Sequence, residues 1–207
     1  DRNYPVFTST ATAANFNARR PYQPGVLGSA RVLESIFNSD YHGLQMSAEK
    51  RGSRFSSKAY YSVGKAVEDL DYQGGGLPAV QNSNKIYLER ARTSADRTHS
   101  FVFSGIWNLN YFDTSAPVVK GLLNGWTVSA IVTLQSGAPL TITSGLDRNF
   151  DGLTNDRADI NGDPKLENGR DRDVSIEQWF NTTVFSQPAV GNDGNSSRSI
   201  VDGPGVR

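Results

Sequence analysis

Between Leu146 and Asp159 the chain reads LDRNFDGLTNDRAD, in which D-x-N-x-D-G places Asp147, Asn149 and Asp151 at alternate positions ahead of Gly152. A tight loop with that spacing points three oxygen donors at one hard cation, and glycine permits the sharp turn. The order is that of the first half of a calcium loop. The second half departs from it, because Ala158 stands where a bidentate Glu belongs, although Asn155 and Asp156 add oxygens. The candidate metal ligands are therefore Asp147, Asn149, Asp151, Asn155 and Asp156, with Ca2+ as the candidate cofactor. The competing reading is a solvated loop of Asx turns in which the same side chains satisfy their own backbone.

Other chemistry has little to start from. Cysteine is absent, which excludes thiol catalysis, thiolate metal sites and disulfides while leaving the compartment open. His42 and His99 fall on separate predicted strands, outside any metal-ligand spacing, and read as structural or surface residues. No G-x-S-x-G elbow and no glycine-rich phosphate loop occurs, so no enzyme is expected. With 21 Lys and Arg against 21 Asp and Glu the formal net charge is zero, and no basic field exists to draw nucleic acid. The clusters Glu89, Arg90, Arg92, Asp96, Arg97 and Arg170, Asp171, Arg172, Asp173 read as solvated or mutually paired charges more readily than as ligand contacts. Sequons at Asn181 and Asn195 are weak signals.

The elements that would carry these residues alternate with period two. In WTVSAIVTLQ, Trp126, Val128, Ala130, Val132 and Leu134 share one face and Thr127, Ser129, Thr133 and Gln135 the other, with Ile131 the exception. The spacing predicts further strands near 41–50 (His42, Leu44, Met46, Ala48 against Gln45, Ser47, Glu49), 55–66 (Phe55, Ala59, Tyr61, Val63 against Ser56, Lys58, Ser62) and 99–111 (Phe101, Phe103, Trp107, Leu109, Tyr111 against Ser104, Asn108, Asn110). The last strand is expected to run through 126–143, past an irregularity at Gly137 and Pro139, and a weak strand is expected within 29–38. RGSR at 51–54 closes a hairpin. Long loops are expected at 67–97, which holds a triple glycine and a proline, and at 145–207. Tyr60, Tyr61, Phe101, Trp107, Tyr111, Phe112 and Trp126 lie within or near strand ends, where a barrel places interfacial aromatic girdles.

No apolar run approaches the roughly 20 residues of a spanning helix. Short and long connections alternate along the strands. Long structureless loops count against a compact soluble domain, whereas short inner turns and long outer loops are the habit of outer-membrane barrels. The expected class is all-β: antiparallel up-and-down strands forming a partial segment of a large transmembrane β-barrel.

Several ordered blocks carry a family resemblance: NSDYHGLQMSAEKR at 38–51, DRTHSFVFSGIWNL at 96–109, LLNGWTVSAIVTLQSGAPLTITSGLDRNFDGLTNDRAD at 122–159, WFNTTVF at 179–185 and GPG at 203–205. Together they resemble the barrel of TonB-dependent outer-membrane transporters, most closely the Oar-like branch. The resemblance implies residence in the bacterial outer membrane and contact with its lipid. It also implies a plug domain and further barrel strands as partners, energy delivered by TonB through that plug, and uptake of an unidentified small ligand. The chain shows no recognisable plug or TonB box and far fewer strands than the roughly 22 of such a barrel. Residues 1–207 are thus expected to be a barrel fragment.

The alternative from another class is a secreted or periplasmic all-β binding module, calcium-dependent and directed at carbohydrate or a surface, whose apolar strand faces pack on a second sheet. The barrel reading expects the purified chain to require detergent. A detergent-free monomer that melts cooperatively would refute it.

Overall fold

A computed structural model describes all of the 207 residues except 23, 25, 31–33, 72–79, 112–115, 168 and 207. Four long strands form where aromatic and β-branched residues alternate with small polar ones: β1 (Ser39–Lys50), β2 (Phe55–Glu68), then, beyond the two-residue β3 (Ala91–Arg92), β4 (His99–Leu109) and β5 (Trp126–Gln135). They lie in the order β1-β2-β4-β5, with β3 paired to β2. Connections 51–54 and 110–125 join strands at one end of this sheet, and both long connections leave from the other. Within 110–125 lies a short helix, α1 (Pro117–Leu123); Pro117 supplies the preset φ of a helix start.

Antiparallel register gathers the apolar positions on one side. Trp107 faces Phe55 and Val128; Phe103 faces Ala59 and Val132; Phe101 faces Tyr61 and Leu134. The opposite side collects Ser104 with Lys58 and Ile131, Asn108 with Thr127, and Ser100 with Ser62 and Gln135. Ile131, the exception in the sequence, thus falls among polar neighbours. The Tyr41 ring lies over Gly43 and Gly64, so close that a Cβ on Gly64 would come within 2.8 Å of the Tyr41 hydroxyl. This aromatic covering of glycine puts Tyr41 on the polar side, and alternation then sends Leu44 and Met46 to the apolar side.

Among the described residues nothing covers that apolar side. Val128 is 50 % exposed, Val132 42 %, Leu44 57 % and Trp126 62 %. Left in water at about half exposure, each such side chain forgoes roughly half of the ~1.5–3 kcal/mol that full burial confers. A sandwich would bury them beneath a second sheet, and none of the described residues does so. The ten residues of β5 span about 33 Å at ~3.3 Å each, which a tilt of ~45° reduces to nearly the ~25 Å apolar band of an outer-membrane barrel. No helix among the described residues is long and apolar enough to cross a membrane.

Aromatic side chains mark both ends of the strands. At the short-turn end the Trp107 indole donates to the Tyr111 hydroxyl at 2.9 Å, Arg54 stacks over the Tyr111 ring at 4.8 Å, and the Trp126 indole donates to the Leu122 carbonyl at 2.8 Å. At the other end Tyr61 bonds His99 Nδ1 at 2.7 Å, a structural use of that histidine. Phe112 lies outside the described residues.

The described residues divide into two compact units, 41–65 with 97–137 and 205–207, and 1–40 with 66–96 and 138–204. The second unit corrects several expectations. Its long connections are not featureless: β6 (Pro139–Leu140) pairs with β9 (Val201–Asp202), and β7 (Asp159–Ile160) pairs with β8 (Phe185–Ser186), while α2 (Arg172–Glu177) lies between. The strand expected over 126–143 therefore stops at Gln135, because Pro139 and Leu140 join β9 instead. Residues 34–38 are irregular, and of the weak strand expected at 29–38 Val32 lies outside the described residues. The triple glycine of the first long loop is likewise outside them.

An arginine placed on the apolar side near mid-strand meets hydrocarbon, so Val132→Arg is expected to cost about 2–4 kcal/mol in a bilayer, whereas Thr133→Arg on the polar side costs about 1 kcal/mol or less. Denaturant titration of both variants of the assembled barrel checks this. Equal costs would refute the assignment of sides.

Candidate functional site

The loop from Asp147 to Asp156 is built by its own side chains. Asp147 accepts from the Asp151 amide at 3.0 Å and the Gly152 amide at 2.9 Å, and Asn149 Oδ1 accepts from the same Asp151 amide at 3.0 Å. Asp151 Oδ1 accepts from Leu153 at 2.7 Å, while Asp156 Oδ2 accepts from Arg148 at 2.5 Å and Asn149 at 3.1 Å. Phe150 and Gly152 adopt left-handed φ values of 55° and 90°. Glycine is required at 152 twice over, since a Cβ there would also press within 2.7 Å of the Phe16 ring.

Residues distant in sequence close around this loop. Asn149 Nδ2 donates to the Tyr4 hydroxyl at 3.0 Å and to Asp193 at 3.1 Å, and Asn155 Nδ2 donates to the Val80 carbonyl at 2.8 Å. All five sequence-predicted ligands therefore sit in one loop, but their oxygens are used differently. Both Asp147 oxygens and Asn149 Oδ1 are committed to backbone amides, as the Asx-turn reading expects. Asp151 Oδ2, Asn155 Oδ1 and Asp156 Oδ1 are buried with no hydrogen-bond partner. Among the described residues no three His, Cys, Asp or Glu side chains form a metal-holding group.

Electrostatics separates these carboxylates from their neighbour Asp193. Burial raises Asp151, with the charge of Asp147 adding to it, and burial pushes Asp156 up to about 6, against the downward pull of the Asn149 and Arg148 amides. Asp193 is buried too, yet Lys85 at 2.7 Å, Asn149 and Asn82 hold it below the ordinary carboxylate range. Burial and the Asp151 charge raise the Tyr4 phenol. Among the described residues Asp151 and Asp156 form no ion pair; Arg19 donates instead to Asn15 and to the Val6 and Phe150 carbonyls.

Beneath the loop lies an ionic core that sequence reading missed. Glu89 takes both carboxylate oxygens to Arg157 Nη1 at 2.9 Å, accepts from the Gln81 amide at 3.2 Å, and its carbonyl accepts from Arg198 Nε at 3.0 Å. Gln81 Oε1 accepts from the Arg157 amide at 2.7 Å, and Gln81 Nε2 donates to the Gly194 carbonyl at 2.9 Å. Arg198 also approaches Asp71 at 3.3 Å. The charges near Glu89 are thus paired, but with remote partners: Arg90 with Asp40 and Asp69, Arg92 with Asp96 and Asp202. Only the Arg92 and Asp96 pair is a local one, four residues apart. The sequons have structural work as well, since Asn181 caps a 3-10 turn and Asn195 Oδ1 accepts from Ile160 at 2.7 Å.

With Glu89 and Arg157 only 2 % and 5 % exposed at the side chain, solvent screens this pair little. Glu89→Gln leaves two buried guanidinium groups short of a countercharge, a loss of about 3–5 kcal/mol. It is expected to speed protease cleavage within 138–204 and hydrogen exchange at the Arg157 amide. Unchanged protection would show that the pair does not hold the loops.

Neither a curated protein nor a solved structure matches the chain. One family does, over residues 1–207, and its description is outer membrane beta barrel domain. An uncovered apolar sheet face, strands of bilayer-spanning length, aromatic ends and this full-length match agree: the chain belongs to the outer membrane beta barrel domain family, and its place is the bacterial outer membrane.

Proposed function

We propose that the chain is part of a TonB-dependent transporter barrel that captures a small nutrient at its outer loops and passes it inward without catalysing a reaction. Three things support this reading: the ordered blocks that resemble such transporters, the barrel family, and above all the state of the long loops. Residues 66–96 and 138–204 fold with 1–40 into one unit whose buried residues include Glu89, Arg157 and Arg198. Long loops of outer-membrane barrels face the exterior, and loops held stiff by a scaffold are where binding residues sit. Ordered outer loops of this kind suit the capture of a ligand.

In this reading the plug domain and the remaining strands are partners of the chain, and TonB acts through the plug. The test is crosslinking in outer membranes containing the product of the full coding sequence around this chain, with the periplasmic domain of TonB as the probe. A crosslink that depends on a segment upstream of residue 1, together with uptake that stops when the inner-membrane proton gradient is collapsed, is the expected result. A product lacking a plug, or uptake indifferent to the gradient, would overturn the proposal.

A further inference from the structure

We propose that the Asp147 to Asp156 loop holds one calcium ion, with Asp151 Oδ2, Asn155 Oδ1 and Asp156 Oδ1 as its protein side-chain ligands. Two observations independent of the sequence pattern carry this. Asp156 is fully buried and presents an oxygen without a hydrogen-bond partner among the described residues; Asp151 is 4 % exposed and its Oδ2 likewise lacks a bond of ordinary geometry, with the Tyr4 phenol as the donor beside its carboxylate. A buried carboxylate oxygen without a donor costs a substantial desolvation free energy that a cation removes. Moreover, among the described residues neither Asp151 nor Asp156 has a direct ion pair such as Lys85 makes with Asp193, Arg19 and Arg20 acting on Asp151 only at longer range.

The donor set defines the ion. Two carboxylates and one amide oxygen, with no sulfur and no imidazole among them, suit a hard divalent cation. Calcium accepts irregular arrangements of roughly six to eight oxygens, with backbone carbonyls and water filling the remainder, whereas magnesium demands a near-ideal octahedron. Asp147 and Asn149, the leading residues of the motif, support the site by fixing the amides of Asp151 and Gly152. The inference does not rest on the transport reading, since a loop can bind calcium whatever the barrel carries.

The test uses the full chain in detergent micelles, stripped of divalent ions. Calorimetry with calcium chloride is expected to show one saturable site, about tenfold or more weaker for magnesium and about tenfold or more weakened in Asp151→Asn and Asp156→Asn, in line with the dependence of such sites on ligand charge. Asp163→Asn, at an exposed carboxylate outside the loop, is expected to bind as the parent does. Equal magnesium affinity, no heat at millimolar calcium, or unaltered binding in Asp156→Asn would overturn the assignment. Should the variants fail to fold, terbium on the unaltered chain decides: emission excited through nearby aromatics such as Tyr4 and quenched by added calcium supports the site, and its absence or its indifference to calcium refutes it.

Discussion

Each strand of the sheet can slide past its neighbour only in steps that turn its side chains over, and this constraint on register carries the rest of the architecture. Because Phe103 sits opposite both Ala59 and Val132, every second residue to either side is also committed. One step of slip would set Lys58 and Ser104 among hydrocarbon chains and turn Trp107 and Val128 toward water. Tyr41 adds a lock, its ring occupying the space that the absent side chains of Gly43 and Gly64 leave. The pleat thus decides which residues meet lipid, and backbone hydrogen bonds hold that decision.

The loop unit obeys a different rule. Its buried residues are mostly polar, with Glu89, Arg157, Arg198, Gln81 and Asp156 inside and Ala158 and Val201 the buried hydrophobic residues among those described. Such an interior is stable only if its groups find partners, and they do so across long stretches of chain, as Gln81 does with Arg157 and Gly194. Order in these loops is therefore a matter of matched donors and acceptors. Among the described residues eight buried side-chain atoms lack a hydrogen bond, Arg198 Nη1 and Ser196 Oγ included, and three of them, the oxygens of Asp151, Asn155 and Asp156, fall in one loop.

The long strands were legible in the sequence because alternation is a local property: the faces read from Trp126 to Leu134 and from Phe101 to Leu109 are those the register assembles. The alternation of short and long connections was legible for the same reason. The end of β5 was not, since Leu140 to Thr143 continues the alternating pattern and only the remote pairing of Pro139 and Leu140 with β9 diverts it. The candidate metal loop could be read from its spacing, including the glycine at 152, but not which of its oxygens the backbone claims. Glu89 and Arg157 carry no local signal at all, because 68 residues separate them and nothing in the intervening sequence announces that two charged side chains will be taken out of water together. The helix at Pro117–Leu123 left no mark in the residue pattern, since seven residues give too short a window for a helical period to emerge.

An interior made of ion pairs has a thermal signature of its own. Exposing apolar surface raises heat capacity and exposing polar surface lowers it, so opening a unit that hides Glu89, Arg157 and Arg198 in place of leucines and phenylalanines changes heat capacity little. Its stability curve is correspondingly flat, with cold and warmth altering it less than they alter an oily core. The sheet, which hands its apolar side to the bilayer, answers to membrane thickness and fluidity. One polypeptide thereby joins two materials, an ionic one and a greasy one, that respond to separate features of a bacterium's surroundings.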